Sequence, residues 1–483
     1  MAPPDSDSID LTDGAIPSDA NRRLLRRDLL LAVAVFVVAL GVLGWEARVA
    51  PFEADEADYT ATSRYFGYLF LQRDPWRSEW DGNHWTRTQP PLTRYVVGGW
   101  LTLRGFNLEA LNQPYVSTAS SFEVNRRKGR VPTDDVLAAA REPMVVLGAG
   151  AVAGLFALGA LLGGTLAGGS GMGGAVAGLA AAALALSSGF VRYTLVHAWA
   201  EAPLACFLLL AALLVAVGAG RLARGRPWLV WALAGGAAMG LASATKLTGL
   251  VGPAATLGIA VVGAWLAWRT PPQPLPETGR GMLPSPSRGG VGGGVSWLAW
   301  AATSSIVATV VFVGLNPFLW RGPIAGLSEM LAQRRDEMAE QQEQWPEFAV
   351  LSWAERPGLA VVGATRFGPW DGQPWVAVPV GLALLVAGGI GLIQAARRRS
   401  ERAGSVPSIV VATWQAAYLA AIVGGLGLSY PRYFMPACLF ALPLAGVGVA
   451  WIAELARARL AGRAHTAART ARSLSAPATL GPR

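Results

Sequence analysis

Asp55 and Glu56 are adjacent, Tyr59 follows three residues after the pair, and all of them come just after the first long apolar stretch of the chain. Gln89-Pro90-Pro91-Leu92 comes next. A carboxylate at a boundary between water and lipid has its pKa raised by partial desolvation, which suits it to accept a proton from a hydroxyl as that oxygen forms a bond. Acids so placed point to chemistry on a lipid-borne substrate. Asp55 is the expected base, with Glu56 the second catalytic candidate. Further along stand Arg192, His197 and Glu201, then Lys246, then Arg432-Tyr433. An ionisable residue at the bilayer centre costs at least about 2.5–3.5 kcal/mol, so such groups in an apolar chain are functional candidates by default.

The rest of the chain supplies the slab. Its 483 residues are 53% hydrophobic and 15% charged, with mean hydropathy +0.38, and long apolar runs recur almost to the end. This excludes an ordinary soluble domain and gives an all-α polytopic membrane protein. With about 20 apolar residues needed per crossing, spans fall near Asp28–Trp45, Pro143–Leu162, Gly174–Phe190, Ala202–Val217, Trp228–Ala244, Leu247–Trp268, Trp297–Leu315, Trp375–Ile393, Ile409–Leu428 and Phe434–Ile452. That is about ten helices with both ends inside.

The net charge of +9 is almost wholly arginine, since the lysines are Lys128 and Lys246. It orients helices and does not call for nucleic acid as a partner. Arg22, Arg23, Arg26 and Arg27 hold the N-terminus in the cytoplasm. The short loops carrying Arg221, Arg224 and Arg226, then Arg397 to Arg399, fall on the same side, as does the tail from Arg457. Glu201, Lys246, Arg432 and the Asp55 group then converge on the opposite, extracytoplasmic edge. Cys206 and Cys438 lie in apolar runs and read as small hydrophobes.

The expected organisation is a disordered cytoplasmic tail over 1–27, a membrane domain over 28–453 and a basic cytoplasmic tail over 454–483. Two long segments face outward, 46–142 and 316–374, and 270–295 is a Pro/Gly-rich disordered cytoplasmic loop. Leu92 to Leu103 is too short to span comfortably and is read as a helix lying along the outer surface as a roof. Glu329 to Glu347 is read as a solvated charged helix. Of the tryptophans in the first outer segment, Trp76, Trp80 and Trp85 can either stack on a sugar or dip into lipid.

In this order along the chain, Ala54-Asp55-Glu56 with Tyr59, Pro90-Pro91-Leu92, Arg192 to Glu201, Thr245-Lys246, Asn316-Pro317 with Trp320, and Arg432-Tyr433 with Pro436 resemble the lipid-carrier-dependent glycosyltransferases of the membrane-embedded GT-C type. That family includes the protein O-mannosyltransferases and the lipid A aminoarabinose transferase. Two positions depart from its pattern: Gln89 stands where relatives often carry histidine or lysine, and Glu201 where aspartate is common. These leave the sugar and acceptor open.

The resemblance implies a GT-C fold and a polyprenyl-phosphate sugar donor. It also implies transfer with inversion to an acceptor hydroxyl of a protein, lipid or glycan on the outer face of the plasma membrane. Tyr59, Gln89, Arg192, Glu201, Lys246, Arg432 and Tyr433 would bind substrate, and cations facing the departing phosphate would stabilise the charge that grows there. No cofactor and no essential metal are expected. The blander alternatives are a helix cap for Asp55, Glu56 or Glu201, an interfacial anchor for Lys246 or Arg432, and a packed histidine at His197. A transporter or flippase of lipid-linked sugars is the alternative function, and it would need a polar path through to the inner side.

Overall fold

The computed structural model describes residues 19–81, 84–116, 121–166, 172–269, 291–398 and 406–475. Among these residues the regular elements are helical, and a single isolated bridge pairs Ala349 with Leu428. Eight helices are long and apolar enough to cross a membrane: Arg26–Val49, Asp134–Gly163, Glu201–Leu222, Leu247–Arg269, Gly294–Gly314, Pro374–Arg397, Val406–Gly425 and Pro431–Thr466. The chain is therefore an all-α polytopic membrane protein. Its interior is packed largely by small residues, with Ala149, Ala151, Ala177, Ala205 and Ala212 fully buried. Small side chains let helices approach closely where lipid offers no hydrophobic drive between them.

Two of the ten expected spans differ from a simple crossing. The third is broken at Ser188 into Met172–Ser187 and Gly189–Val196, which meet at 77°. Ser188 Oγ accepts from Val191 N at 3.1 Å and donates to Asp371 at 2.6 Å, and the same carboxylate oxygen accepts from Phe190 N at 2.6 Å. A helix start capped twice in this way is a new helix, not a continuation. The fifth is Leu229–Thr245, only 17 residues long. It ends at Lys246, whose backbone is extended (φ −155°, ψ 141°), and the chain reverses at once into Leu247–Leu250 and Val251–Arg269. Gly249 makes this reversal possible, because a Cβ there would lie 2.5 Å from the backbone of Ala242 and Ser243.

The first helix runs to Val49 and the next spanning helix begins at Asp134, with Asp134 and Asp135 at its positive N-terminal end. Between them lie an acidic helix, Ala54–Thr62, a short helix His84–Thr88, and the expected roof helix at Leu92–Leu103. The acidic and roof helices cross at Gly98, where a Cβ would stand 2.3 Å from Ser63 O. Pro323–Gln344 and Arg356–Ala364 lie between the spanning helices Gly294–Gly314 and Pro374–Arg397.

The loop expected at 270–295 lies outside the described residues up to 290, and Val291 already begins a helix. The expected N-terminal tail lies outside them up to residue 18, with helix from Asp19. At the other end the last helix continues through the basic stretch to Ser475. That stretch is rich in alanine, arginine and leucine, the strongest helix formers, and this explains why polarity alone did not mark a disordered tail.

Candidate active site

A cavity of about 780 Å³ opens at one end of the bundle, between the acidic helix, the roof helix, the Pro323–Gln344 helix and the residues preceding the last spanning helix. Asp55, Tyr59, Gln89, Glu201, Lys246, Arg432 and Tyr433 all line it. They arrive from five separate places in the sequence, and apart from Tyr59, inside the acidic helix, each sits at or beside a helix end or an inter-helix turn.

Asp55, Asp58 and Tyr59 are spaced i, i+3, i+4 on the acidic helix and so share one face, which is the cavity face. Asp55 forms an ion pair with Arg432 Nη1. Arg432 stacks 5.2 Å from the centre of the Trp199 ring, which fixes the guanidinium from behind. Asp58 accepts from Tyr115 N at 2.8 Å. Burial pushes the Asp58 carboxyl up to about 8, the Tyr115 hydrogen bond opposing and the charge of Asp55 adding to the rise. Burial, reinforced by Glu201, likewise raises the Tyr59 phenol and keeps it neutral.

On the opposite wall, Lys246 Nζ donates to Glu201 Oε1 at 2.7 Å and lies 5.4 Å from the centre of the Tyr433 ring. Glu201 is the first residue of its helix and makes no side-chain cap; its carboxylate is turned to Lys246. Tyr433 accepts from Arg334 Nη2 at 3.0 Å, and Arg334 also pairs with Glu337. The cavity is thus walled by carboxylate–cation pairs, each fixing the direction of the other.

The structure places Glu56 and Arg192 elsewhere. Glu56 is completely buried on the other face of the acidic helix. Arg141 grips it through Nε and Nη2 at 2.7 and 2.6 Å. The Glu56 carboxylate also accepts from Ala198 N at 2.9 Å and from Glu53 N at 3.1 Å. The remaining bonds of Arg141 go to the carbonyls of Ala47, Ala50 and Pro51. This cluster is the brace that ties the first spanning helix, the acidic helix and the second spanning helix together, and it corrects the expectation that Glu56 faces substrate. Arg192 donates to Glu46 at 2.8 Å and to Leu186 O at 2.8 Å, which clamps the broken helix to the first helix away from the cavity. Adjacency in sequence misled for Glu56, because neighbours on a helix point about 100° apart. His197 is buried, with its ring nitrogens on the carbonyls of Tyr193 and Pro51.

Sequence reasoning missed Asp58, Arg94 and Arg334. Asp58 carries the same i+3 spacing as Asp55 that the helix would have revealed. Arg94 is a lone charge in an otherwise apolar twelve-residue helix, which is itself a signal. The Pro323–Gln344 helix was read as solvated; Arg335 and Asp336 do face water, but Arg334 and Glu337 face the cavity. The three tryptophans divide. Trp80 is buried against Tyr65 and Tyr95, Trp76 is exposed beside Trp320, and Trp85 lines the cavity. Asn316, part of the matching pattern, is buried away from it.

Among the described residues no group of three His, Cys, Asp or Glu side chains is placed to hold a metal ion. The acids around the site have separate partners: Glu53 has Tyr193, Asp55 has Arg432, Glu56 has Arg141 and Asp58 has the Tyr115 amide.

No protein-family model and no curated protein matches the chain. Among solved structures it is similar to ArnT from Cupriavidus metallidurans bound to undecaprenyl phosphate, at 17% identity and TM-score 0.47, over 88% of this chain and 59% of that one. It is also similar to the Archaeoglobus fulgidus oligosaccharyltransferase tethered with an acceptor peptide, at 12% identity and TM-score 0.45, over 86% and 49% of the two chains. A third is AglB from Archaeoglobus fulgidus in complex with an inhibitory peptide and a dolichol-phosphate, at 11% identity and TM-score 0.46, over 93% and 52%. The chain spans about half to three-fifths of the length of these structures.

Proposed function

We propose that this protein is a membrane glycosyltransferase of the GT-C type that moves a sugar from a polyprenyl-phosphate donor to an acceptor hydroxyl on the extracytoplasmic face of the plasma membrane. The observation that carries the proposal is Asp55, held by Arg432 at the wall of a 780 Å³ cavity at one end of an apolar bundle. The donor class rests on the ordered motif resemblance, whose Asp55, Tyr59, Lys246 and Arg432 meet at that cavity.

In the proposed reaction the acceptor oxygen bonds to the anomeric carbon and the bond from that carbon to the phosphate oxygen breaks. The acceptor proton passes to Asp55 and the electron pair leaves on the lipid phosphate. Attack and departure on opposite sides of the carbon invert it. Asp55 needs a fixed direction for this, and Arg432 supplies it. A pre-set ion pair costs no reorganisation when charge moves. Glu201 and Lys246 hold the opposite wall in the same way. A hexose or pentose is the group transferred, and a protein, lipid or glycan hydroxyl accepts it. A carrier would need a polar path to the other end of the bundle, whereas the charged residues lining this cavity belong to the elements at its one end.

The test is transfer of radiolabelled sugar from a panel of polyprenyl-phosphate sugars to membrane acceptors, with wild type and Asp55→Asn at matched expression. Transfer by wild type and its loss in Asp55→Asn is the expected result. Equal turnover in both, or none with any donor, rejects the proposal.

A further inference from the structure

Arg94 and Arg141 are both buried arginines next to the acidic helix, and they use the guanidinium differently. Arg141 closes its Nε/Nη2 edge on Glu56, the side-on fork that matches a carboxylate or phosphate bidentately. Arg94, 1% exposed, spends Nη1 on the carbonyls of Trp85 and Gln89 at 3.0 and 3.2 Å. Its Nε and Nη2 have no hydrogen-bond partner among the described residues. A buried donor pair without an acceptor is costly, and a buried charge without a counter-ion more so.

The surroundings of Arg94 are those of a cation waiting on a ligand's charge. It lines the cavity. The rings of Tyr59, Tyr65 and Trp85 stand 5.9, 5.9 and 6.0 Å from its guanidinium carbon, which favours a cation but offers no acceptor atoms. Every other lysine or arginine on the cavity wall faces a carboxylate: Lys246 has Glu201, Arg432 has Asp55, and Arg334 has Glu337. The acid whose charge reaches Arg94 is Asp58. Burial keeps the Asp58 carboxyl largely protonated below about 8, so it does not neutralise Arg94 at neutral pH.

We infer that the Nε/Nη2 edge of Arg94 is the seat of the phosphate of the lipid carrier, gripped bidentately, and that the Arg432 and Lys246 cations chiefly orient Asp55 and Glu201. This inference rests on the cavity being a lipid-phosphate sugar site. Gln89 stands at a position where the resembling family often carries histidine or lysine. Gln89 contributes its carbonyl to position Arg94, and the charge comes from the helix that follows.

The experiment measures binding to the full-length protein in detergent, with undecaprenyl phosphate, undecaprenol and inorganic phosphate as probes, for wild type, Arg94→Lys and Arg94→Gln. Helicity and elution volume verify folding, and Arg94→Lys decides the matter if Arg94→Gln does not fold. Tight binding of undecaprenyl phosphate over undecaprenol is expected in wild type. Arg94→Gln should weaken it ~30-fold, as for loss of a charge-assisted bidentate contact, and Arg94→Lys should fall between, with undecaprenol unchanged throughout. Wild-type affinity in folded Arg94→Gln or Arg94→Lys overturns the inference, as does equal Arg94-dependence for inorganic phosphate with no preference for the lipid form. Sugar transfer separates this from the broader reading. Arg94-dependent lipid-phosphate binding without transfer from any donor sinks the transferase and keeps the phosphate seat. Transfer with wild-type KM and kcat in Arg94→Lys sinks the seat and keeps the transferase.

Discussion

The two faces of the Ala54–Thr62 helix carry the same kinds of side chain in opposite surroundings. One face turns Glu56 into a dry brace, where Arg141 and two backbone amides use up the carboxylate's acceptors. The other turns Asp55, Asp58 and Tyr59 toward a 780 Å³ cavity. On the brace side, acid and cation satisfy each other and the protein gains geometry. On the cavity side Arg94 keeps donors that no described residue accepts, and Asp55, paired with Arg432, still lines the cavity. A charged pair becomes architecture when its hydrogen bonds close within the chain, and becomes a site when some are left for a ligand.

The sharpest break of this contrast is Asp55→Asn, which removes the proposed base and leaves the brace whole. Sugar transfer should fall by about 10²- to 10⁴-fold, the range for a general base, with the thermal unfolding temperature close to wild type. Glu56→Gln acts on the opposite face. It leaves the Arg141 charge buried without its partner and should cost about 3–5 kcal/mol of stability, read as a large drop in thermal unfolding temperature in detergent. Transfer by the protein that remains folded should hold near the wild-type value.

Lys246→Met tests the far wall. It strips the nearly buried Glu201 of its partner and should lower stability by about 1–3 kcal/mol; adding Glu201→Gln should recover part of that in a double-mutant cycle.

The smallest effect is in pH. Burial pushes the Asp58 carboxyl up to about 8, above the ordinary aspartate range, so the protonated form is favoured on folding. The associated stability is complete at low pH and is lost as pH rises through about 8. The same ionisation places a negative charge near Arg94, with Asp55 also facing Asp58 and the Tyr115 amide bonded to it. Affinity for undecaprenyl phosphate should fall a few-fold above pH 8, and Asp58→Asn should flatten that fall. An equally steep profile in Asp58→Asn assigns it to another group.

Much of the fold was legible in the sequence because a membrane span is written as a long apolar run. The roof helix was found with its bounds for a related reason: Pro90-Pro91 forces a start and the apolar run is short. The break at Ser188 was not legible. It depends on Asp371, distant in sequence, whose carboxylate caps the restarted helix. The cavity lining was legible where a polar residue interrupts the apolar pattern at a span end, as at Glu201, Lys246 and Arg432. It was read poorly where the question was which way a helix turns. Glu56 and Asp58 are interchangeable in a list of acids, and only the phase of the helix sends one to Arg141 and the other to the cavity. Arg192 failed in the same way, since its nearest acid in space is Glu46 of the first helix.

The most direct measurement is single-turnover transfer of labelled sugar from a polyprenyl-phosphate donor by equal amounts of folded wild type, Asp55→Asn and Glu56→Gln. A division of the helix into a chemical and a bracing face requires Asp55→Asn to lose at least about a hundredfold in rate while Glu56→Gln stays near wild type. Equal losses in both, or a larger loss in Glu56→Gln, would contradict it and place the base on the buried face.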